Sequence, residues 1–496
     1  MNGSPSANPT ALEISRPFFA SSLLHRLQPK LHLLVCCFGG LLLLTSGCKM
    51  LEKHLAESEQ CFLSGQYQAG IDAIPEPAEA TSEALLPNLY RSSNHLMSAQ
   101  YDLCLNDLIL AEGGLDEQDE SINWFNDYYA RTYDGLMVYT YRALMYLILG
   151  KAEDARVAFN RLEECQGAAS RRSEKFITKA QQDVASERSN PKNSSALSYL
   201  DKTNSDADNQ EKLNKYQHLL DHWEPYADYQ SPIGRFLSGT FRLFYLADPN
   251  DADKACFQLK SAYGMTNSEV AMALYELADM RADGQIGEED IANYVVVVFE
   301  NGMGCVKEEV RYELEVPYIE PIYVGIALPT LVEQEAAYPY LALTDGIQRI
   351  GVTSPLCDMD RLIVTEFQKE LPSIIAKEVS SAVIKVALQI VAIEVTRRKF
   401  GDLAAMVVSM VGSYLSDFTT NADVRGWNLL PKEYQVALVQ RPASGLLGIA
   451  TPNSSLPFTE VELPPGPAIV YLKIPVTGLP ALVTVMGPNM ESDNAQ

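Results

Sequence analysis

A change of apolar period near Ala292 restricts this chain more than any other feature. From Met50 to about Gln182, and again from Lys212 to Arg281, the apolar residues recur three and four apart, the spacing of helices that bury one stripe. Tyr294-Val295-Val296-Val297-Val298-Phe299-Glu300 is then a continuous β-branched run closed by Asn301-Gly302, a turn signal, and Val310–Val316 alternates apolar with charged. Ile322–Leu328 reads as a third strand. Helical spacing returns over Met359–Thr396 and Lys399–Thr419, and strands over Tyr434–Gln440, Phe458–Leu463 and Ala468–Ile474. Helices followed by mixed strands and helices predict an α+β protein. A helical unit over 48–284 precedes an α+β domain over 285–496, whose sheet is expected to be covered by the two long helices.

Within the helical half, three places carry a small residue followed by another five positions on. Gly65-Gln66-Tyr67 leads to Gly70, Ala99-Gln100-Tyr101 to Cys104, and Gly150-Lys151-Ala152 to Ala155. The first two lie 34 residues apart, the tetratricopeptide period, and small residues let paired helices approach. The third breaks the period, and an insertion holding Trp124, Phe125, Tyr128, Tyr129 and Tyr133 accounts for the difference. The unit therefore resembles tetratricopeptide-like helical repeats, or is an ordinary helical domain with coincident small residues. Residues 184–212 are polar and nearly free of periodicity, which reads as a flexible loop. Further helices are expected over Lys212–Tyr226, Pro232–Leu246, Asp251–Tyr263 and Ser268–Arg281.

The first 47 residues read as an export address. Arg16, Arg26 and Lys30 precede the apolar run Leu31–Leu44, which ends in Thr45-Ser46-Gly47-Cys48. A basic flank, a short apolar core and small residues at the cut describe a secretory signal, and the run is short of the roughly 20 residues that span a bilayer. Small residues followed at once by Cys resemble the lipobox of bacterial lipoproteins, with Thr45 where that motif prefers Leu. The resemblance implies a lipid on Cys48, and an uncleaved signal anchor is the alternative. Lys49 lacks the Asp that retains some lipoproteins in the inner membrane, which favours the outer one. Cys61, Cys104, Cys165, Cys256, Cys305 and Cys357 remain in the mature chain. They form no CxxC or close ligand pair, so they are either disulfide partners or small core residues.

Charge narrows the function classes. The 496 residues carry 39 Lys+Arg against 64 Asp+Glu, a net charge of −25, and no basic run marks a nucleic-acid footprint. There is no GxSxG, no phosphate-cradling GxxxxGK[ST] and no GxGxxG after a strand, so no cofactor is implied. Ile374–Val395 is strongly apolar, as a buried helix is. Membrane insertion is the alternative, made expensive by Lys377, Glu378, Lys385 and Glu394.

Candidate site residues are few. His218-Leu219-Leu220-Asp221-His222 would place two imidazoles on one helix face, a weak zinc-site candidate with Asp221 where inverted zinc peptidases use Glu. Glu300, with Glu308 and Glu309, is a possible carboxylate site. Asp423 and Arg425 stand two apart and either pair or clamp a common surface, while Trp427 suits a core plug or an interface anchor. Tyr128, Tyr129 and Tyr133 either line a concave peptide groove or pack between helices.

Five segments carry a wider resemblance: Val297–Gly302, Val306–Arg311, Gly325–Pro329, Glu366–Pro372 and Asp423–Pro431. Together they resemble an uncharacterised family of bacterial envelope lipoproteins with helical repeats before an α/β region. The resemblance implies a compartment and a domain order, and no activity. The resulting expectation is a periplasm-facing scaffold that binds an envelope protein partner through its repeats, anchored in the membrane by lipid, with a homo-oligomer as an option. An envelope hydrolase acting on a cell-wall or lipid substrate is the second expectation. A membrane-inserting assembly component using 374–395 is the third.

Overall fold

A computed structural model describes residues 50–75, 80–120, 128–226, 229–248, 250–316, 322–400, 421–454 and 456–488. The leader, the proposed lipid site Cys48, Trp124, Phe125 and the expected helical stretch to Thr419 lie outside these. Residues 50–54 form the first turns of a helix, and from Leu55 onward the chain is one compact unit.

The first half is helical, as its spacing requires. Helix α1 spans 50–63, followed by α2 (Tyr67–Asp72), α3 (Leu85–Met97), α4 (Tyr101–Glu120), α5 (Thr132–Ile148) and α6 (Ala152–Ser189). The three small-residue turns that suggested repeats have a common local cause. Gly65, Ala99 and Gly150 all have positive φ, at 74°, 56° and 70°. In each turn the next amide reaches back five residues: Gln66 to Cys61 O at 2.9 Å, Gln100 to His95 O at 2.9 Å, Lys151 to Tyr146 O at 2.8 Å. This is the Schellman ending of a helix, which satisfies last-turn carbonyls and reverses the chain. The second small residue then enters a close contact: a Cβ on Gly70 would lie 2.4 Å from Asn94 Oδ1.

The stretch 184–212 is helical, not a loop. It holds the end of α6, then α7 (Ser194–Ser205) and part of α8 (Ala207–His218). Its apolar residues are too sparse to show a period, but Leu200 is fully buried and Tyr199 packs on Ile384 and Ala387. Asp206 caps α8 through the Asn209 amide, and the Asn209 side chain donates to Glu315 O at 2.9 Å. Helices α9 (Pro232–Tyr245), α10 (Asp251–Thr266), α11 (Glu269–Ala282) and α12 (Glu288–Ile291) complete this half.

The valine run becomes β1 (Tyr294–Asn301), the centre of a five-stranded sheet. It pairs parallel with β10 (Ala468–Ile474) and antiparallel with β7 (Glu433–Gln440). Strands β11 (Leu482–Met486) and β6 (Ser354–Asp358) form the edges. Its continuous apolar character follows from burial on both faces. Val295, Val297 and Phe299 pack into a core shared with a four-stranded sheet, β5 (Arg349–Val352), β4 (Ala342–Thr344), β8 (Leu446–Ala450) and β9 (Thr459–Glu462). Alternate positions face the opposite way, where Glu300 meets Tyr141 of α5. One face of the central sheet is thus covered by a second sheet rather than by helix.

Strands β2 (Val306–Val316) and β3 (Ile322–Val332) form a separate antiparallel hairpin. Helix α13 (Met359–Phe400) runs along it and against α6 and α7. The change of period at Ala292 is bridged by buried hydrogen bonds: Tyr141 to Glu300, Trp427 to Ser93, and Tyr216 to Pro329 O.

Candidate functional site

Where α5 begins, the chain must satisfy the first amides of a buried helix. Asp134, at the third helical position, accepts from the Arg131 amide at 2.7 Å and from the Tyr128 hydroxyl at 2.6 Å. Helix α13 supplies the rest. Glu366 accepts from the Thr132 amide at 2.8 Å and its hydroxyl at 3.0 Å, and Glu370, one turn on, accepts from Arg131 at 2.5 Å. The Arg131 guanidinium also lies 5.0 Å from the Phe176 ring centre. From β2, Lys307 donates to Arg425 O at 3.2 Å, and Arg425 forms a two-pronged pair with Asp423 at 2.9 and 3.0 Å.

Burial dominates the electrostatics. It pushes the Glu370 carboxyl up to about 8, with Arg131 opposing and Glu366 reinforcing the shift. It pushes Asp134 up to about 6 despite its hydrogen bonds. Lys307 is brought down to about 8, first by burial and then by Arg131. At Asp423 burial raises the carboxyl, but hydrogen bonds and charge from Arg425, joined by Lys307 and Arg131, hold it at about 2. Several groups titrating near neutrality beside a cavity mark a functional-site candidate.

The cavity is a cleft of about 80 Å³ between the start of α5, α6, β2 and α13. Tyr128, Tyr129, Phe176 and Phe367 give it aromatic walls, and Arg131, Lys307, Lys377, Asp183, Glu378 and Asp423 give it both charges in equal number. Behind it, Arg131 and Lys307 also line a pocket of about 10 Å³ with Glu366 and Glu370, about the size for one water.

Of the residues singled out by sequence, Tyr128, Tyr129 and Asp423 converge on this cleft. Tyr133 is buried behind it, and Arg425 holds Asp423 in place. Glu300 is elsewhere and fully buried, bonded to Tyr141, Tyr434 and, at 2.9 Å, Lys473. Trp427 is a core plug: 3% exposed, it donates to Ser93 at 2.9 Å and packs against Tyr141. The zinc-type pattern does not form a helix face, because α8 ends at His218 and leaves His222 in the following turn. His218 instead pairs with Asp221 at 2.6 Å on the surface. Among the described residues no group of three His, Cys, Asp or Glu is placed to hold a metal ion. Cys104, Cys305 and Cys357 are buried and carry no disulfide. No described helix is long and apolar enough to cross a membrane.

Arg131, Lys307, Glu366 and Glu370 were not picked out as site residues. The available signal was Glu366 and Glu370 at a four-residue spacing among Leu362, Ile363, Phe367 and Leu371, an apolar surround in which carboxylates must find partners. Compared with family models, curated proteins and solved structures, the chain matches none.

Proposed function

We propose that this protein is a lipid-anchored envelope binding protein, a scaffold without chemistry of its own, whose recognition site is the cleft at the start of α5. The carrying observation is the convergence of Tyr128, Tyr129 and Asp423, from segments far apart in sequence, on one cavity with aromatic walls and balanced charges. Such a lining suits a protein segment that brings an aromatic or aliphatic side chain together with a charge. The inner polar groups are engaged with one another: Arg131 donates to Glu370, Arg425 pairs with Asp423, and Thr132 donates to Glu366. They therefore hold the cleft in shape rather than offer a nucleophile beside a base. Lipid on Cys48 would keep this cleft at the periplasmic side of the outer membrane, in line with the basic, apolar and small-residue order of the leader.

The test is in-cell crosslinking of the full-length protein, read by mass spectrometry, beside Tyr129→Ala and Cys48→Ala forms. An envelope partner captured by the wild type and reduced roughly tenfold by Tyr129→Ala, as expected for loss of an aromatic anchor, supports the reading. Cys48→Ala is expected to release the protein from the membrane fraction. A partner held equally by Tyr129→Ala would move recognition away from the cleft.

A further inference from the structure

A second cavity, independent of the cleft, lies between α4, α5 and α6 and encloses about 350 Å³. Its origin is legible in α6, where Arg161, Cys165, Ala168, Arg172 and Lys175 follow one another at four- and three-residue steps and so share one face. Small side chains occupy the middle of that stripe and basic ones its two ends. Across from it, α5 presents Gly135, where a Cβ would meet Cys165 Sγ at 3.4 Å and Arg172 Nη1 at 3.6 Å. The result is a hollow with a small-residue floor and cationic rims.

Its charge runs against the rest of the molecule. Arg161, Arg171, Arg172 and Lys175 line it against two carboxylates, Asp116 and Glu164, in a chain of net charge −25. Glu112 approaches Arg161 only to 4.0 Å and is engaged more closely by Arg142. Gathering like charges around a hollow is unfavourable unless a counter-charge arrives, and guanidinium groups present paired N–H donors that match an oxyanion.

We infer that the hollow between α4, α5 and α6 binds a multivalent oxyanion of the phosphate-ester or pyrophosphate kind at the end that Arg171 and Lys175 line. The same group is offered by a soluble phosphate compound and by an anionic lipid headgroup. In either case the ligand would be recognised by charge and shape at its phosphate.

The experiment uses the full chain in non-ionic detergent. Inorganic pyrophosphate is titrated by calorimetry at fixed ionic strength. Vesicles of phosphatidylcholine alone are compared with vesicles of phosphatidylcholine and phosphatidylglycerol in equal parts. The variant Arg171→Gln/Lys175→Gln changes two exposed side chains, and Lys254→Gln/Lys260→Gln removes the same charge elsewhere. Saturable pyrophosphate binding that weakens roughly tenfold or more in the first variant and holds in the second is the expected result. A preference for the anionic vesicles that is lost in the first variant and competed by pyrophosphate assigns a headgroup. Pyrophosphate binding without that preference assigns a soluble ligand. Absence of both, or equal loss in the two variants, overturns the inference.

Discussion

Glu370 stands one helical turn from Glu366 and faces Arg131, and the surrounding cluster adds Asp134 and Asp423 to the carboxylates and Lys307 and Arg425 to the cations. Acids outnumber bases by one, so a single retained proton makes the cluster neutral. Glu370, raised to about 8, is the group that holds it. Between its ordinary value of 4.5 and about 8 the folded protein keeps a proton that the unfolded chain has released. This contribution to stability therefore falls as pH rises across that window. Lys307 acts in the opposite sense above about 8, where the unfolded chain holds the extra proton and stability recovers as pH rises toward the ordinary lysine range. The expected outcome is a Tm that declines from about 4.5 toward about 8, corresponding to a few kcal/mol, with Glu370→Gln flattening the decline. Thermal melts of both proteins across that range decide it, and an identical slope in Glu370→Gln would place the proton elsewhere. Only fragments of this cluster are legible in the sequence, Asp423 beside Arg425 and Glu366 one helical turn from Glu370. Its members come from the start of α5, from β2, from α13 and from the segment after 421, and only packing brings them within reach.

At the scale of elements, legibility followed length and uniformity. Strands β1, β2, β3, β7, β9 and β10 were visible because their runs are alternating or wholly apolar, and Ala468–Ile474 was placed to the residue. The remaining strands, β4, β5, β6, β8 and β11, have three to five residues, too short to establish a period, and Gly or Pro interrupts β5, β6 and β8. The helical turns were found at the right residues, with their caps now the local reason. Ala99 is the instructive one, because an L-residue there adopts the left-handed conformation that Gly65 and Gly150 adopt freely. Ala99→Gly is therefore expected to stabilise the protein by roughly 0.5–1 kcal/mol, the strain relieved exceeding the entropy added to the unfolded chain. A higher denaturant midpoint at unchanged slope would register it. A lower midpoint would mean that the turn is held by its contacts and that the strain is negligible.

Across the whole molecule, the helical and sheet-bearing parts share buried polar bonds instead of a linker. Tyr141 of α5 reaches Glu300 and Lys473 on the central sheet, Arg131 and Thr132 reach α13, and Trp427 fills the space beside α3. A chain ending at residue 284 would expose these groups together with the apolar face of α5. It is expected to be helical yet loosely packed, binding hydrophobic dye, while the complete protein melts in one transition. A cooperative melt from the fragment would show that the first half folds by itself.

The place of β1 in its sheet also bears on how the protein is made. Val295 waits for Ala468, and Leu472 in turn for Val483, so the central strand lacks its parallel neighbour until a segment 173 residues further along has been made. Until then a five-residue stretch of valines and phenylalanine is an uncovered edge, the kind of segment that chaperones hold and that pairs with copies of itself. A chain interrupted between β7 and β10 would therefore leave that edge open and its core unclosed.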